Sequence, residues 1–194
     1  MAHKQGTPSR KALFLDRDGV INLDHGYVFE PERFDFVPGI FDQVRHANDI
    51  GWPVVVVTNQ SGIARGLYSE AAFSDLMAWV QECFAEHGAQ IDDLRYCPHH
   101  PDAVIGRYRK RCECRKPAPG MFLAAAAQLG LDVAGSLMVG DGARDMQAAL
   151  AAGVGQRCWL GATAAQASRE QALAVASLAD VQALLPKPHA ATDT

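Results

Sequence analysis

The sequence predicts an α/β protein, a parallel sheet with helices on both faces. Three observations carry that prediction. Short apolar runs alternate with helical patterns along the chain. Glycine and proline punctuate the junctions. Three of the apolar runs end on a polar residue, at Asp16, Thr58 and Asp141. Strands that alternate with helices pair in parallel, and such sheets bind ligands beyond the carboxyl ends of their strands.

Taken in order, Ala12 to Leu15 reads as a buried strand that delivers Asp16. Gly39 to Asn48 carries Ile40, Val44 and Ala47 at helical spacing. The all-valine run from Val54 to Val57 is a second buried strand, ending at Thr58. Ser69 is a helix N-cap with Glu70 in the first turn, and the helix runs to about His87. Leu94 to Cys97 is a further strand. Pro119 opens a helix that Gly130 closes. Leu137 to Val139 is a strand leading to Gly140 and Asp141, and Ala143 to Ala152 is a helix closed by Gly153. Arg157 to Leu160 is the last strand, and Ser177 caps a final helix from Leu178 to Leu185. This assigns residues 11–185 to one domain, with flexible ends at 1–10 and 186–194.

Composition sets the outer limits. A chain of 194 residues, 48% apolar and 21% charged, fits one soluble domain. Its formal net charge of -4 makes no electrostatic case for nucleic acid. No apolar stretch approaches the roughly 20 residues that cross a bilayer. Met1 to Lys11 is polar and lacks the apolar core of a signal peptide, so a cytoplasmic protein is expected. Five cysteines, an odd number, argue against a disulfide framework.

Four segments carry chemistry. In Asp16-Arg17-Asp18-Gly19, one carboxylate can attack phosphorus while the other handles the leaving group's proton. Thr58-Asn59-Gln60-Ser61 offers hydroxyl, amide and backbone donors suited to phosphate oxygens. Arg115-Lys116 supplies cations. Gly140-Asp141-Gly142-Ala143-Arg144-Asp145 places carboxylates where magnesium would be held, with Asp145 in a supporting hydrogen-bond role. Each also has a plain reading: a solvated acidic loop, a polar strand-to-helix turn, a solvated basic pair, a decorated helix start. The basic residues from Arg107 to Arg111 read as a solvated positive face. Cys97, Cys112 and Cys114 crowd around His99 and His100, which points to a metal, either histidine completing a tetrahedral set. Cys83 and Cys158 fall in helix and strand patterns and read as buried packing residues.

Together the four segments resemble the haloacid dehalogenase superfamily of phosphohydrolases: D-x-D, then Thr or Ser, then Lys, then an acidic G-D-x-x-x-D. Phe14 to Asn22, Asp24 to Tyr27, Thr58 to Gly66, Cys97 to Pro101, Cys112 to Pro117 and Asp145 to Ala149 resemble, more narrowly, the heptose-1,7-bisphosphate 7-phosphatase family, which makes the heptose precursor of lipopolysaccharide. That resemblance implies Asp16 as nucleophile, Asp18 as general acid and base, and Thr58 and Lys116 as holders of the phosphoryl group. It implies magnesium on Asp16, Asp18 and Asp141, and a structural zinc on Cys97, His99, Cys112 and Cys114. It implies sugar-bisphosphate contacts from Asp24, His25, Gly26, Tyr27, Asn59, Gln60, Ser61 and Arg115. Family members often carry Lys directly after the third-strand aspartate, whereas Gly142 stands there in this chain. The stretches from Gly19 to Pro38 and from Cys97 to Pro119 are too short for a cap domain, so a capless monomer is expected. Histidinol-phosphate phosphatase is the neighbouring alternative. A zinc-stabilised binding module without catalysis is the alternative of another class.

Overall fold

Alternation on a two-residue period splits the strand side chains between two faces, and this decides the layering. In β1 (Leu13–Leu15), Leu13 and Leu15 join one core while Phe14 joins the other. The same holds in β2 (Val54–Asn59), with Val54 and Val56 on one side and Val55 and Val57 on the other. β4 (Leu137–Gly140) repeats the pattern. Strands buried on both faces need helices on both faces. The structure, a computed structural model, describes residues 10–188.

The sheet is six-stranded and parallel, in the order β3-β2-β1-β4-β5-β6, with β3 spanning Asp93–Cys97, β5 Gln156–Leu160 and β6 Leu173–Val175. One face is covered by α1 (Ile40–Asp49), α3 (Glu70–Glu86) and α7 (Leu178–Gln182). The other is covered by α4 (Gly120–Leu129) and α5 (Ala143–Ala152). In α3, Phe73, Leu76, Met77, Val80 and Phe84 form one buried stripe at helical spacing. Each such fully buried side chain contributes about 1.5–3 kcal/mol. Ser69 caps this helix as expected, its hydroxyl accepting from the Ala72 N–H.

Two short helices, α2 (Ser61–Ala64) and α6 (Ala164–Arg169), and strand β6 lie outside the predicted set. β6 is short and two of its three residues are exposed, so it carries no buried apolar run to betray it. The last helix stops at Gln182, short of the predicted Leu185. Cys158 is buried as expected, but Cys83 is only half-buried, because it lies beside the apolar stripe of α3. The segments that follow β1 and β3 each hold only a single 3-10 turn, Pro31–Arg33 and Gly106–Tyr108, and neither builds a cap. Of the flexible ends expected at 1–10 and 186–194, residues 1–9 and 189–194 lie outside the described residues. Of the described ones, Arg10 accepts a backbone hydrogen bond from Asp132, and the Pro186 carbonyl lies 2.8 Å from His46 Nε2. Among the described residues no helix is long and apolar enough to cross a membrane.

Candidate active site

The strand order reverses direction at β1, which lies between β2 and β4. A crevice opens at such a switch point beyond the carboxyl ends. Asp16 follows β1, Asp141 follows β4, and Thr58 sits near the end of β2, so three loops far apart in sequence meet there. They line a cavity of about 480 Å³. The close approach has a backbone requirement. Gly19 has a φ of +83°, and a Cβ placed on it would lie 1.9 Å from Asp141 Oδ2. Any side chain at that position would be strained by the positive φ and would displace the Asp141 carboxylate from the cavity. Gly140 serves the same end for Asp145, whose Cβ would be 2.4 Å from a Cβ at 140.

Lys116 is the centre of the site's electrostatics. Its side chain is 2% exposed, and Nζ reaches Asp16 Oδ2 at 2.9 Å, Asp145 Oδ1 at 2.6 Å and the Val57 carbonyl at 2.8 Å. An ammonium has three donors, and all three are used. Burial would pull its pKa down, but Asp16 and then Asp145 more than offset this, and it is held above its ordinary value. Asp16 is raised in turn, to about 8, first by burial and then by the neighbouring Asp145 charge, with Lys116 opposing. Asp145 also accepts from the Gly142 N–H at 3.1 Å, closing the first turn of α5. This is the supporting geometry expected of it. Asp16, Asp141 and Asp145 each offer a carboxylate oxygen, all within 4.8 Å of one another, a hard-oxygen set that suits magnesium.

Asp18 is held by a different network. Its Oδ1 accepts from Arg17 Nη2 at 2.5 Å and Asn22 Nδ2 at 3.2 Å, and its Oδ2 accepts from Gln60 Nε2 at 3.1 Å. The Gln60 amide also donates to Thr58 Oγ1 at 2.8 Å, while its carbonyl accepts from Tyr68 at 2.6 Å. Gln60 is 1% exposed, so although it lines the cavity its polar atoms are spent on protein partners. Arg17 and Tyr68 were missed by sequence reasoning. Arg17 is fully buried, bonds to the Val28 carbonyl and lies 5.6 Å from the Phe73 ring. Its one visible signal was a cation between two aspartates. Tyr68 gave none.

The remaining expected contacts divide. Asp24, Gly26, Tyr27, Ser61 and Arg115 line the cavity. His25 does not; it points to Asp35, with Nε2 to Oδ2 at 2.7 Å on an exposed face. Asn59 also lines the cavity, but its amide makes a two-point bond to the backbone of Lys116, donating to the carbonyl at 3.1 Å and accepting from the N–H at 3.0 Å. Arg144, at the start of α5, joins the lining without having been expected.

Cys97, His99, Cys112 and Cys114 come together beside this cavity's loop. The sulfurs lie 3.2 to 3.5 Å apart, and His99 Nδ1 is 3.7 Å from Cys97 and 3.4 Å from Cys114. Zinc–ligand bonds of about 2.0–2.3 Å in a tetrahedron require ligand separations of this size. His100 points elsewhere, its Nδ1 accepting from the Asp102 N–H at 3.1 Å. Tyr96 and Tyr108 both donate to Glu70, which ties the loop to the first turn of α3. Arg115 Nη1 reaches the His99 carbonyl at 3.3 Å, so the cluster's position sets that of Arg115.

The model of the haloacid dehalogenase-like hydrolase family matches residues 10–153. The chain is 52% identical over 149 residues to the D-glycero-beta-D-manno-heptose-1,7-bisphosphate 7-phosphatase of Vibrio cholerae, covering 77% of this chain and 80% of that one. It is 49% identical over 151 residues to the enzyme of the same name from Yersinia pestis, covering 78% and 80%. Among solved structures, the D,D-heptose 1,7-bisphosphate phosphatase of B. bronchiseptica, complexed with magnesium and phosphate, superposes with a TM-score of 0.76 at 34% identity, covering 90% and 97%. With a parallel sheet whose switch point gathers two aspartates, a threonine and a buried lysine, the chain belongs to the haloacid dehalogenase-like hydrolases and, within them, to the D-glycero-beta-D-manno-heptose-1,7-bisphosphate 7-phosphatase family.

Proposed function

We propose that this protein removes the C7 phosphate of D-glycero-D-manno-heptose 1,7-bisphosphate, in the supply of heptose for lipopolysaccharide, by way of an aspartyl-phosphate on Asp16. The observation that carries the reading is the buried Asp16–Lys116–Asp145 cluster at the mouth of β1. Asp16 attacks phosphorus, and Asp18 gives its proton to the departing sugar oxygen. Asp18 then takes a proton from the water that cleaves the phosphoaspartate, which returns both carboxyl groups to their starting state. Thr58 and Lys116 hold the equatorial oxygens, Lys116 turning to them the N–H that bonds Asp16 Oδ2 before attack. Gln60 sets the distance between Asp18 and Thr58, since one amide bonds both. Asp16 and Asp141, with the Asp18 carbonyl, would hold magnesium, whose charge would offset that of the phosphoryl group. Asp24, Gly26, Tyr27 and Ser61 face the sugar, and Arg115 faces the phosphate that stays. The protein works as a cytoplasmic monomer.

Turnover decides the substrate. In magnesium buffer, phosphate release from the heptose bisphosphate is expected to exceed that from histidinol phosphate and from an aryl phosphate. Preference for histidinol phosphate would replace this reading, and silence on all three would mark a binding module.

Zinc on the four-ligand cluster would be structural, since the protein supplies every ligand. Metal analysis is expected to find about one zinc per chain. Chelation is expected to lower the melting temperature, because metal binding free energy is part of folding free energy. Unchanged melting after complete zinc removal would refute the role.

A further inference from the structure

Arg17 stands between two aspartates of the site, yet it is fully buried and does not line the cavity. Its Nη2 and Nε both donate to Asp18 Oδ1, at 2.5 and 3.2 Å, and Nη2 also donates to the Val28 carbonyl at 2.8 Å. Asn22, buried as well, donates from Nδ2 to the same Oδ1 at 3.2 Å. The backbone brings these two side chains to one oxygen. The Arg17 carbonyl accepts from the N–H groups of Val20, Ile21 and Asn22, and the Gly19 N–H donates to the Asn22 carbonyl at 2.7 Å. Arg17 also rests over the Phe73 ring of α3, 5.6 Å from its centroid. A buried cation is costly to desolvate, and an apolar side chain of similar size often fills a core as well or better. Packing alone does not account for an arginine here.

The two oxygens of Asp18 end up unlike. Oδ1 receives three N–H donors, more than its two lone pairs accept singly. Oδ2 accepts from Gln60 alone among the described residues, at 3.1 Å, and keeps a lone pair, while Asp18 itself lines the cavity. The last torsion of an aspartate is otherwise broad and roughly two-fold, so its oxygens exchange places. We propose that Arg17 is a positioning residue for the acid–base step: with Asn22 it pins Asp18 Oδ1 and leaves Oδ2 as the one oxygen that exchanges protons with the reacting groups. The inference rests on the proposed phosphatase reading and goes beyond it in naming the atom that moves the proton and the residue that holds it in place. In the first step Asp16 bonds phosphorus, the bond from phosphorus to the sugar oxygen breaks, and the proton on Oδ2 passes to that oxygen. In the second step water bonds phosphorus, the bond from phosphorus to Asp16 breaks, and a proton of the water returns to Oδ2.

The test compares leaving groups. A sugar oxygen departs poorly without a proton, whereas p-nitrophenolate needs none. In magnesium buffer, Arg17→Met is expected to lower kcat/KM for the heptose bisphosphate about a hundredfold, and for p-nitrophenyl phosphate by no more than about threefold. Its kcat on p-nitrophenyl phosphate is expected to fall after a burst of about one nitrophenol per enzyme, because the second step still needs Oδ2. Arg17→Lys keeps a donor for Oδ1 and is expected to recover part of the loss. Asn22→Ala leaves Arg17 in place and is expected to show the same asymmetry in smaller degree. Should melting show that Arg17→Met does not fold, these two variants decide. Equal losses on both substrates without a burst would assign Arg17 to the fold and overturn the proposal, as would unchanged activity on the sugar phosphate. A wild type that prefers histidinol phosphate, with the same asymmetry on that alkyl phosphate, would keep the positioning role and remove the heptose reading.

Discussion

Asp16→Asn is expected to abolish turnover without lowering stability. The amide cannot attack phosphorus, and no other carboxylate occupies its place at the end of β1. Stability follows from the charge already crowded there. Burial and Asp145 push the Asp16 pKa up from an ordinary 3.8 to about 8, so the folded state binds this proton more tightly than the unfolded state. A raised carboxyl pKa makes the unfolded state the poorer proton binder, and stability then falls as pH rises through the window between those two values. In magnesium-free buffer the wild type is therefore expected to lose melting temperature from pH 4 to pH 8. Asp16→Asn is expected to flatten that decline and to melt no lower than wild type at the upper end. Phosphate release from an aryl phosphate and melting curves across pH check both halves. Turnover within tenfold of wild type would end the covalent mechanism, by the rate loss expected of a missing nucleophile.

Lys116→Met is expected to lose both activity and stability. Methionine fills similar space, so the effect is mainly one of charge. Removing the ammonium leaves Asp16 and Asp145 facing one another in a buried site, with the Val57 carbonyl short of a donor. Breaking a buried ion pair from one side costs about 3–5 kcal/mol. The loss should shrink as pH falls, because Asp16, whose pKa burial and Asp145 raise to about 8, then takes up a proton and no longer needs the cation. Melting of wild type and variant at pH 8 and pH 5 measures this. A gap of equal size at both would show that packing, not charge, is what Lys116 supplies.

The residues of the site were unequally legible in the sequence. Asp16, Thr58 and Asp141 could be placed because each ends or closely follows a run of buried residues, and a strand's end is a local property of the pattern. Lys116 could be named by its family motif, but not its position. It lies 59 residues from the Val57 carbonyl that it bonds, and the contact depends on the loop after β3 folding back over β2.

The sequence by itself determined the sheet's alternation, the helix caps at Ser69 and Gly153, the three polar strand ends and the cysteine cluster. All of these follow from periodicities and spacings within a few residues, which set local φ, ψ and burial. Only the tertiary structure decided which polar groups face the cavity and which spend themselves on the protein. Asn59 and Lys116, 57 residues apart, are bound to each other. Gln60 is tied between Asp18 and Thr58, and His25 has turned to Asp35. Which of two oxygen or nitrogen atoms finds a partner is settled by strand order and loop approach. For a buried side chain such as Gln60, such a partner offsets the cost of leaving water, which no local preference along the sequence supplies.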